Sequence, residues 1–433
     1  MGWRVEDLKV WDDKIIEIAS NYGLDWYPIN YEVCDYYSMI GHMSYHGMPT
    51  HYDHWSYGKT FERTHQAYNA GVEGLPYELI INSNPSIAYL MRENPLYLQI
   101  LIMAHCVGHS DFFKNNRMFS NTRAESVIGR FRAAKKRIQE YVEDPYVGIE
   151  KVEEVIDACH ALQYQVLRDG SQRKTHEELV TYYKGLKQYD SEGELVLFDL
   201  DEPPLEPDGD IMGFISEHAK LPAWKRDVIE IVRDEAYYFM PQIQTKIMNE
   251  GWASYWHYTI CHDLELSDEH HIPFLRMHNA VIRPHMGGLN PYHLGFVIFQ
   301  DIKERFGLEE CFVARESSND IAFVRQYLTE DLCTELNLFS WSEKKDAYTI
   351  DEISDEDGWK SVRKHMCESI ADAKLPVIKV EEIMLDGTLV LRHEHDGRDL
   401  ELDYADRTVE HTKTLWGNNV ILHTIIENEP WEI

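Results

Sequence analysis

The chain has 433 residues, 44% hydrophobic and 27% charged, with a formal net charge of −33. That composition belongs to a globular chain with ample core material, and the length allows two or three domains because one core rarely grows past about 250–300 residues. The acidic surplus argues against nucleic acid and against anionic membrane surfaces as partners, since both are polyanions.

The first residues, MGWRVEDLKVWDD, are charged and amphipathic with no apolar run, so no secretory signal is expected. VEDLKVWDDKIIEIASNYGL (5–24) spaces its apolar residues at helical period and meets Gly23, a natural helix stop. Residues 31–59 are aromatic, rich in histidine and interrupted by Gly and Pro. They predict a structured loop region with short elements, where functional groups often sit. YELIINSNPSIAYL (77–90) predicts a short strand and a turn at Asn84-Pro85. A helix follows, with Asn94 as N-cap and Pro95 at its first position, and it runs through AHCVGHSDFF (104–113). Its apolar part, LYLQILIMA, is too short to span a bilayer, and no membrane insertion is expected. Two amphipathic helices are predicted within 124–144 and 148–166, and the basic run RFRAAKKR (130–137) reads as a solvated helix face.

Residues 186–212 are acidic, bear Pro and Gly and lack helical period, which predicts a surface connection after a first helical region at 1–185. Long helices resume over 213–334, with Pro241 marking a kink or boundary and NPYHLGFVIFQDIKERFG (290–307) carrying an N-cap and a Gly stop. From about residue 335, AYTID, PVIKVEEIML, TLVLRHEHD, LELDY and NVILHTIIE alternate as strands do, Asp386-Gly387 signals a hairpin, and two helical stretches lie among them. Residues 335–433 therefore predict a small α+β domain. The seven cysteines are scattered and never form CxxC, which excludes a zinc ribbon and predicts reduced thiols and a cytoplasmic location.

His105 and His109 are four apart and project from one face of a helix. This is the spacing by which the H-E-x-x-H motif of metalloproteases sets two imidazoles on zinc, but the motif's glutamate is missing, because position 106 is Cys. A later predicted helix contains NEGWASYWHY (249–258), in which Glu250 and His257 share a face. An acidic residue there completes a three-ligand set, so His105, His109 and Glu250 are the candidate metal ligands and a divalent cation, zinc first, is the candidate cofactor. The candidates to replace the missing glutamate as proton shuttle are His257, Asp111, Glu32 and His54. The competing reading is a satisfied buried polar network beside an aromatic seam of Trp252, Tyr255 and Trp256. A second metal site in the histidine-rich loop is weighed against the commoner solvated loop. No glycine pattern cradles phosphate, so nucleotide binding is disfavoured.

GMPTHYDHWSYGKTF, YELIINSNPSIAYL, AHCVGHSDFFKNN, PQIQTKIMNEGWASYWH, GGLNPYHLGFVIFQDI and FVRQYLTEDL occur in that order over almost the whole chain. With these segments the sequence resembles the SpoVR family (stage V sporulation protein R and YcgB-like proteins), and EGWA-x-Y is similar to the third-ligand segment of gluzincin-type peptidases. ARESSNDIAF departs from the family's REVESD form. The resemblance implies a role in spore cortex formation or in stress and stationary-phase physiology. It also implies action beside a PrkA-type serine protein kinase and a YeaH/YhbH-type partner with a von Willebrand-like domain. The expected fold class is α+β, with a large, mainly helical, zincin-like N-terminal and central region and the small C-terminal domain. Three functions stay open: a metal-dependent enzyme acting on an amide or peptide bond, such as a cell-wall peptide; a non-catalytic regulator or scaffold; and a purely structural helical protein.

Overall fold

A computed structural model of the protein describes residues 3–70, 78–185, 203–284, 288–344, 347–353 and 358–433. Residues 186–202 of the predicted acidic connection lie outside the described residues. In chain order the elements are α1 (Val5–Asn21), β1 (Ile29–Cys34), α2 (Tyr36–Ser44), α3 (Trp55–Asn69), β2 (Glu78–Ile81), β3 (Ser86–Met91), α4 (Leu96–Asn115), α5 (Val127–Glu143), α6 (Ile149–Leu162), α7 (His176–Gly185), α8 (Ile211–His218) and α9 (Ala223–Gln244). Then come α10 (Lys246–Asp263), α11 (Asp268–Val281), α12 (Pro291–Phe306), α13 (Leu308–Ser317), α14 (Asp320–Tyr327), α15 (Glu330–Glu335), β4 (Phe339–Lys344), β5 (Ala347–Ile353), α16 (Trp359–Ser369), β6 (Ile378–Ile383), β7 (Leu389–His393), α17 (Leu402–Trp416), β8 (Val420–Ile426) and β9 (Glu429–Glu432). The fold class is α+β. Two compact units are each assembled from two separated stretches: residues 1–135 with 241–374, and 136–240 with 375–433.

The first unit is built around α4. Every residue from Leu98 to Phe113 is buried, so this helix has no solvent face. A helix apolar nearly all round is stable only when enclosed, and each fully buried Leu, Ile or Phe contributes about 1.5–3 kcal/mol. The enclosure comes from α1, α10, α11 and α13, with the sheet β1-β3-β2 alongside. In that sheet β1 runs parallel to β3, and β2 returns antiparallel to β3 through a turn containing Asn84-Pro85. The expected single strand is thus a hairpin of two. Pro95, not Asn94, holds the N-cap position of α4, in extended conformation.

Small residues set how closely the helices approach. A Cβ on Gly108 of α4 would lie 2.7 Å from the Cα of Ala253 in α10, and a Cβ on Gly251 would lie 2.4 Å from the backbone of Gly295 in α12. No side chain fits in either gap, so the three backbones touch there. Gly108 adjoins His109 and Gly251 adjoins Glu250, so the tightest crossings sit where the candidate ligands leave the backbone. The first turn of α10 is capped from outside: Asp320 accepts hydrogen bonds from the backbone N–H groups of Ile247 (2.8 Å) and Met248 (2.9 Å).

In the second unit the sheet order is β6-β7-β8-β9, with α17 packed on α6 and β8. The hairpin expected at Asp386-Gly387 joins β6 to β7, and Gly387 has a φ of +85°, which glycine adopts without strain. LELDY is not a strand. Glu401 caps α17 by accepting from the backbone N–H of Tyr404, and the helix begins at Leu402, because a side-chain acceptor at that point favours a helix start over extension.

Within the basic run 130–137, Lys135 pairs with Asp53, Lys136 with Glu140 and Arg137 with Asp227, while Arg130 donates to the carbonyl of Thr122. All seven cysteines are free thiols, and all but Cys34 are buried. Among the described residues, no helix is long and apolar enough to cross a membrane.

Candidate metal centre

His105 and His109 point from one face of α4 toward α10, whose Glu250 meets both. Glu250 Oε2 lies 3.8 Å from His105 Nε2 and 3.5 Å from His109 Nε2. A fourth group arrives from the first residue of β2: Glu78 Oε1 lies 3.6 Å from His105 Nε2. One ligand atom from each of the four residues falls within 4.8 Å of the others. The imidazoles are enclosed, at 2% and 4% exposure, while the Glu78 and Glu250 side chains retain 14% and 17%, so the cluster opens on its carboxylate side.

Two of the four donor atoms are left free for a ligand. His105 Nε2 and Glu250 Oε2 are buried, and neither has a hydrogen-bond partner. Such atoms are costly unless something not in the protein chain satisfies them. Two imidazole nitrogens and two carboxylates are borderline and hard donors of the kind that suit zinc, iron or manganese, so the residues present fit a divalent cation. Burial alone would raise Glu250, but the two imidazoles hold its carboxyl well below the usual range. Burial would likewise lower His109, and the charge of Glu250, with help from Asn249 and Glu78, outweighs it and leaves His109 raised.

Behind the candidate ligands lies a second layer. His109 Nδ1 donates to Asn249 Oδ1 at 2.8 Å, which turns Nε2 toward the cluster. His105 Nδ1 meets His257 Nδ1 at 2.8 Å, and His257 Nε2 meets His278 Nδ1 at 2.7 Å. Burial and the neighbouring imidazoles push His257 well below the ordinary histidine range and His278 down to about 4, so both rings are neutral at pH 7. Tyr292 of α12 stacks on His105 with ring centroids 6.2 Å apart. Burial, then the charges of Glu250 and Glu78, keep its phenol protonated.

Of the other residues singled out in the sequence, Asp111, Glu32 and His54 lie away from the cluster. Asp111, two residues beyond His109 and so on the other side of α4, accepts from Trp252 Nε1 and from the backbone N–H of Asp25, both at 2.8 Å, and faces Arg315 at 3.6 Å. Burial raises its carboxyl to about 6. Glu32 is exposed on β1, in register with Tyr89. His54 caps α3, with Nδ1 2.7 Å from Ser56 Oγ. His257 touches His105 on the nitrogen turned away from Glu250. Glu78, Asn249, His278 and Tyr292 were not singled out from sequence. Glu78 carries no local signal, since its partner His105 lies on a different element.

In the second unit a separate cavity of about 310 Å³ is lined by Arg173, His176, Phe214 and His218 among others. Its arginine is already answered by Asp208 and Glu217.

The fold and the cluster define an α+β protein whose buried helical core presents a two-histidine, two-carboxylate group of metal-ligating type. The chain belongs to the SpoVR family: the model described as SpoVR like protein matches residues 2–375, and that of the SpoVR-like C-terminal domain matches 376–427. The junction between the two falls beside the boundary between the units at residues 374 and 375. The chain is also 34% identical to "Uncharacterized protein YcgB" of Escherichia coli (strain K12), over 474 aligned positions covering 97% of this chain and 92% of that protein. No solved structure matches.

Proposed function

We propose that the chain is a metal-dependent hydrolase of an amide or peptide bond, with a zincin-like arrangement of His105, His109 and Glu250 as ligands. The observation that carries this reading is the convergence of His105 Nε2 and Glu250 Oε2, both buried and without hydrogen-bond partners, with His109 and Glu78. A divalent cation held there, zinc foremost, would supply Lewis acidity to the carbonyl of the scissile bond. Glu78, with Oε1 3.6 Å from His105 Nε2, is the carboxylate that would replace the one missing at position 106, taking the proton of the attacking water and returning it to the leaving amine. Tyr292, protonated and beside the cluster, donates a hydrogen bond to the oxygen that gathers charge. His257 acts behind His105, as a support. The substrate class expected from the family's link to spore cortex is a cell-wall or γ-glutamyl-type peptide.

One feature favours a second reading. Four protein donors around one centre make a closed set of the structural type, whereas catalytic zinc keeps an open position. On that reading the core is a non-catalytic regulator or scaffold working with the PrkA-type kinase and the von Willebrand-like partner.

Glu78→Gln separates the two. A base at position 78 predicts that the variant keeps stoichiometric metal and loses hydrolysis, while a structural ligand predicts loss of metal. Metal content of protein purified without chelators tests both: wild-type protein should hold one ion per chain, and His105→Ala and Glu250→Gln should lose it. Metal-free wild-type protein after incubation with zinc, iron and manganese would remove the proposal.

A further inference from the structure

Resting on the metal-site reading above, we propose that His257 and His278 are positioning residues: a one-way chain of hydrogen bonds through them keeps the Nε2 lone pair of His105 turned to the cluster. The chain crosses three helices, from His105 on α4 to His257 on α10 to His278 on α11, with N···N distances of 2.8 and 2.7 Å. A neutral imidazole has one N–H and one lone pair, so in each contact one ring donates and the other accepts. Three rings joined in this way, each with one N–H, have two self-consistent arrangements.

In the first arrangement His105 donates from Nδ1 to His257 Nδ1, His257 donates from Nε2 to His278 Nδ1, and His278 carries its proton on Nε2. His105 Nε2 is then a bare lone pair, as a metal ligand must be. In the second arrangement every proton moves to the other nitrogen of its ring. His105 then carries N–H on Nε2 and cannot bind a cation. That proton would aim at Glu78 and Glu250, 3.6 and 3.8 Å away, beyond hydrogen-bond reach. A cation at the cluster selects the first arrangement. By reciprocity, whatever fixes the first arrangement strengthens cation binding.

His278 is the terminal acceptor, and its hydrogen-bonded link to the ligands runs through His257. It sits among aromatic rings, with Tyr258 at 4.7 Å and Phe296 at 5.1 Å between centroids, so a phenyl ring fits its place. In His278→Phe the Nε2–H of His257 would be buried with no acceptor. His257 avoids that cost by moving its proton to Nδ1 and donating to His105, which forces His105 into the tautomer that does not bind. His278→Asn keeps an oxygen acceptor and should restore the first arrangement.

The test uses the full chain, with zinc affinity measured by competition with a chromophoric chelator and folding checked by urea denaturation. His278→Phe should bind zinc about 10–100-fold more weakly than wild type, the usual consequence of removing an outer-shell partner, and His278→Asn should recover most of that loss. Equal affinity of His278→Phe and wild type overturns the positioning role and leaves the metal site standing. Wild-type protein that takes up none of zinc, iron or manganese overturns both. The wild-type protein also supplies a test that needs no folded variant. In 15N spectra of the histidine-labelled, zinc-loaded chain, His257 and His278 should be protonated on Nε2, and a His257 protonated on Nδ1 refutes the chain's direction.

Discussion

Asn249 and His109 are joined by a 2.8 Å hydrogen bond, Nδ1 to Oδ1, and Asn249 immediately precedes Glu250. One turn of α10 therefore supplies both a candidate ligand and the group that orients another ligand on α4. Asn249→Leu should lower zinc affinity about 10–100-fold with little change in overall stability, as loss of an outer-shell partner does. Asn249→Asp, which keeps the acceptor, should stay closer to wild type. Chelator competition reads both, and an unaltered affinity in the leucine variant would deny Asn249 this role.

Gly251 has no room for a side chain, since its Cβ would fall 2.4 Å from the Gly295 backbone. Gly251→Ala should destabilise the first unit by about 1–3 kcal/mol, the usual range for overpacking, and should displace Glu250 from the histidines. Urea midpoints and zinc binding should fall together. Gly129, on the exposed side of α5, is the control, because a methyl group added there would meet nothing within 4 Å. Gly129→Ala should be neutral or slightly stabilising.

Asp320 is fully buried, and desolvation, with the charges of Asp372 and Glu250, raises it to about 8 against two backbone hydrogen bonds that lower it. Its folded value lies above the ordinary aspartate value of 3.8. Between those values the folded chain keeps a proton that the unfolded chain releases. The contribution of this group to stability is therefore full at low pH and declines as pH rises from about 4 to about 8, levelling off above that. Asp320→Asn should remove that slope. Urea midpoints of wild type and variant at pH 5 and pH 8 would expose it, and parallel behaviour of the two proteins contradicts it.

Cation binding should stabilise the folded chain by mass action, about 2.7 kcal/mol when the free ion is at 100 times its dissociation constant. Zinc should raise the thermal midpoint of wild-type protein, and a chelator should reverse the rise. His105→Ala and Glu250→Gln should show no such response. A zinc-dependent rise that survives in both variants would place the ion elsewhere.

The sequence by itself determined the local elements and one face of chemistry. Helical period marked α1, capping signals marked α4 and α12, Gly23 and Gly307 marked helix ends, and the i, i+4 spacing put His105 and His109 side by side, because all of these are set within a turn or two of chain. The tertiary structure alone decided what those histidines face. Glu78 comes from a strand 27 residues earlier than His105, and His278 from a helix 173 residues later, so no periodicity links them. Asp111 is near His109 in sequence yet turned to Trp252 and Arg315, since two residues along a helix rotate a side chain to its far side. LELDY alternates as a strand does, yet Glu401 caps a helix there, and α17 is held by its packing on α6 and β8. Period and capping are local properties that a sequence displays directly. Which side chains converge depends on how closely helices approach, and here that distance is set by backbone contacts at Gly108, Gly251 and Gly295, between residues far apart in the chain.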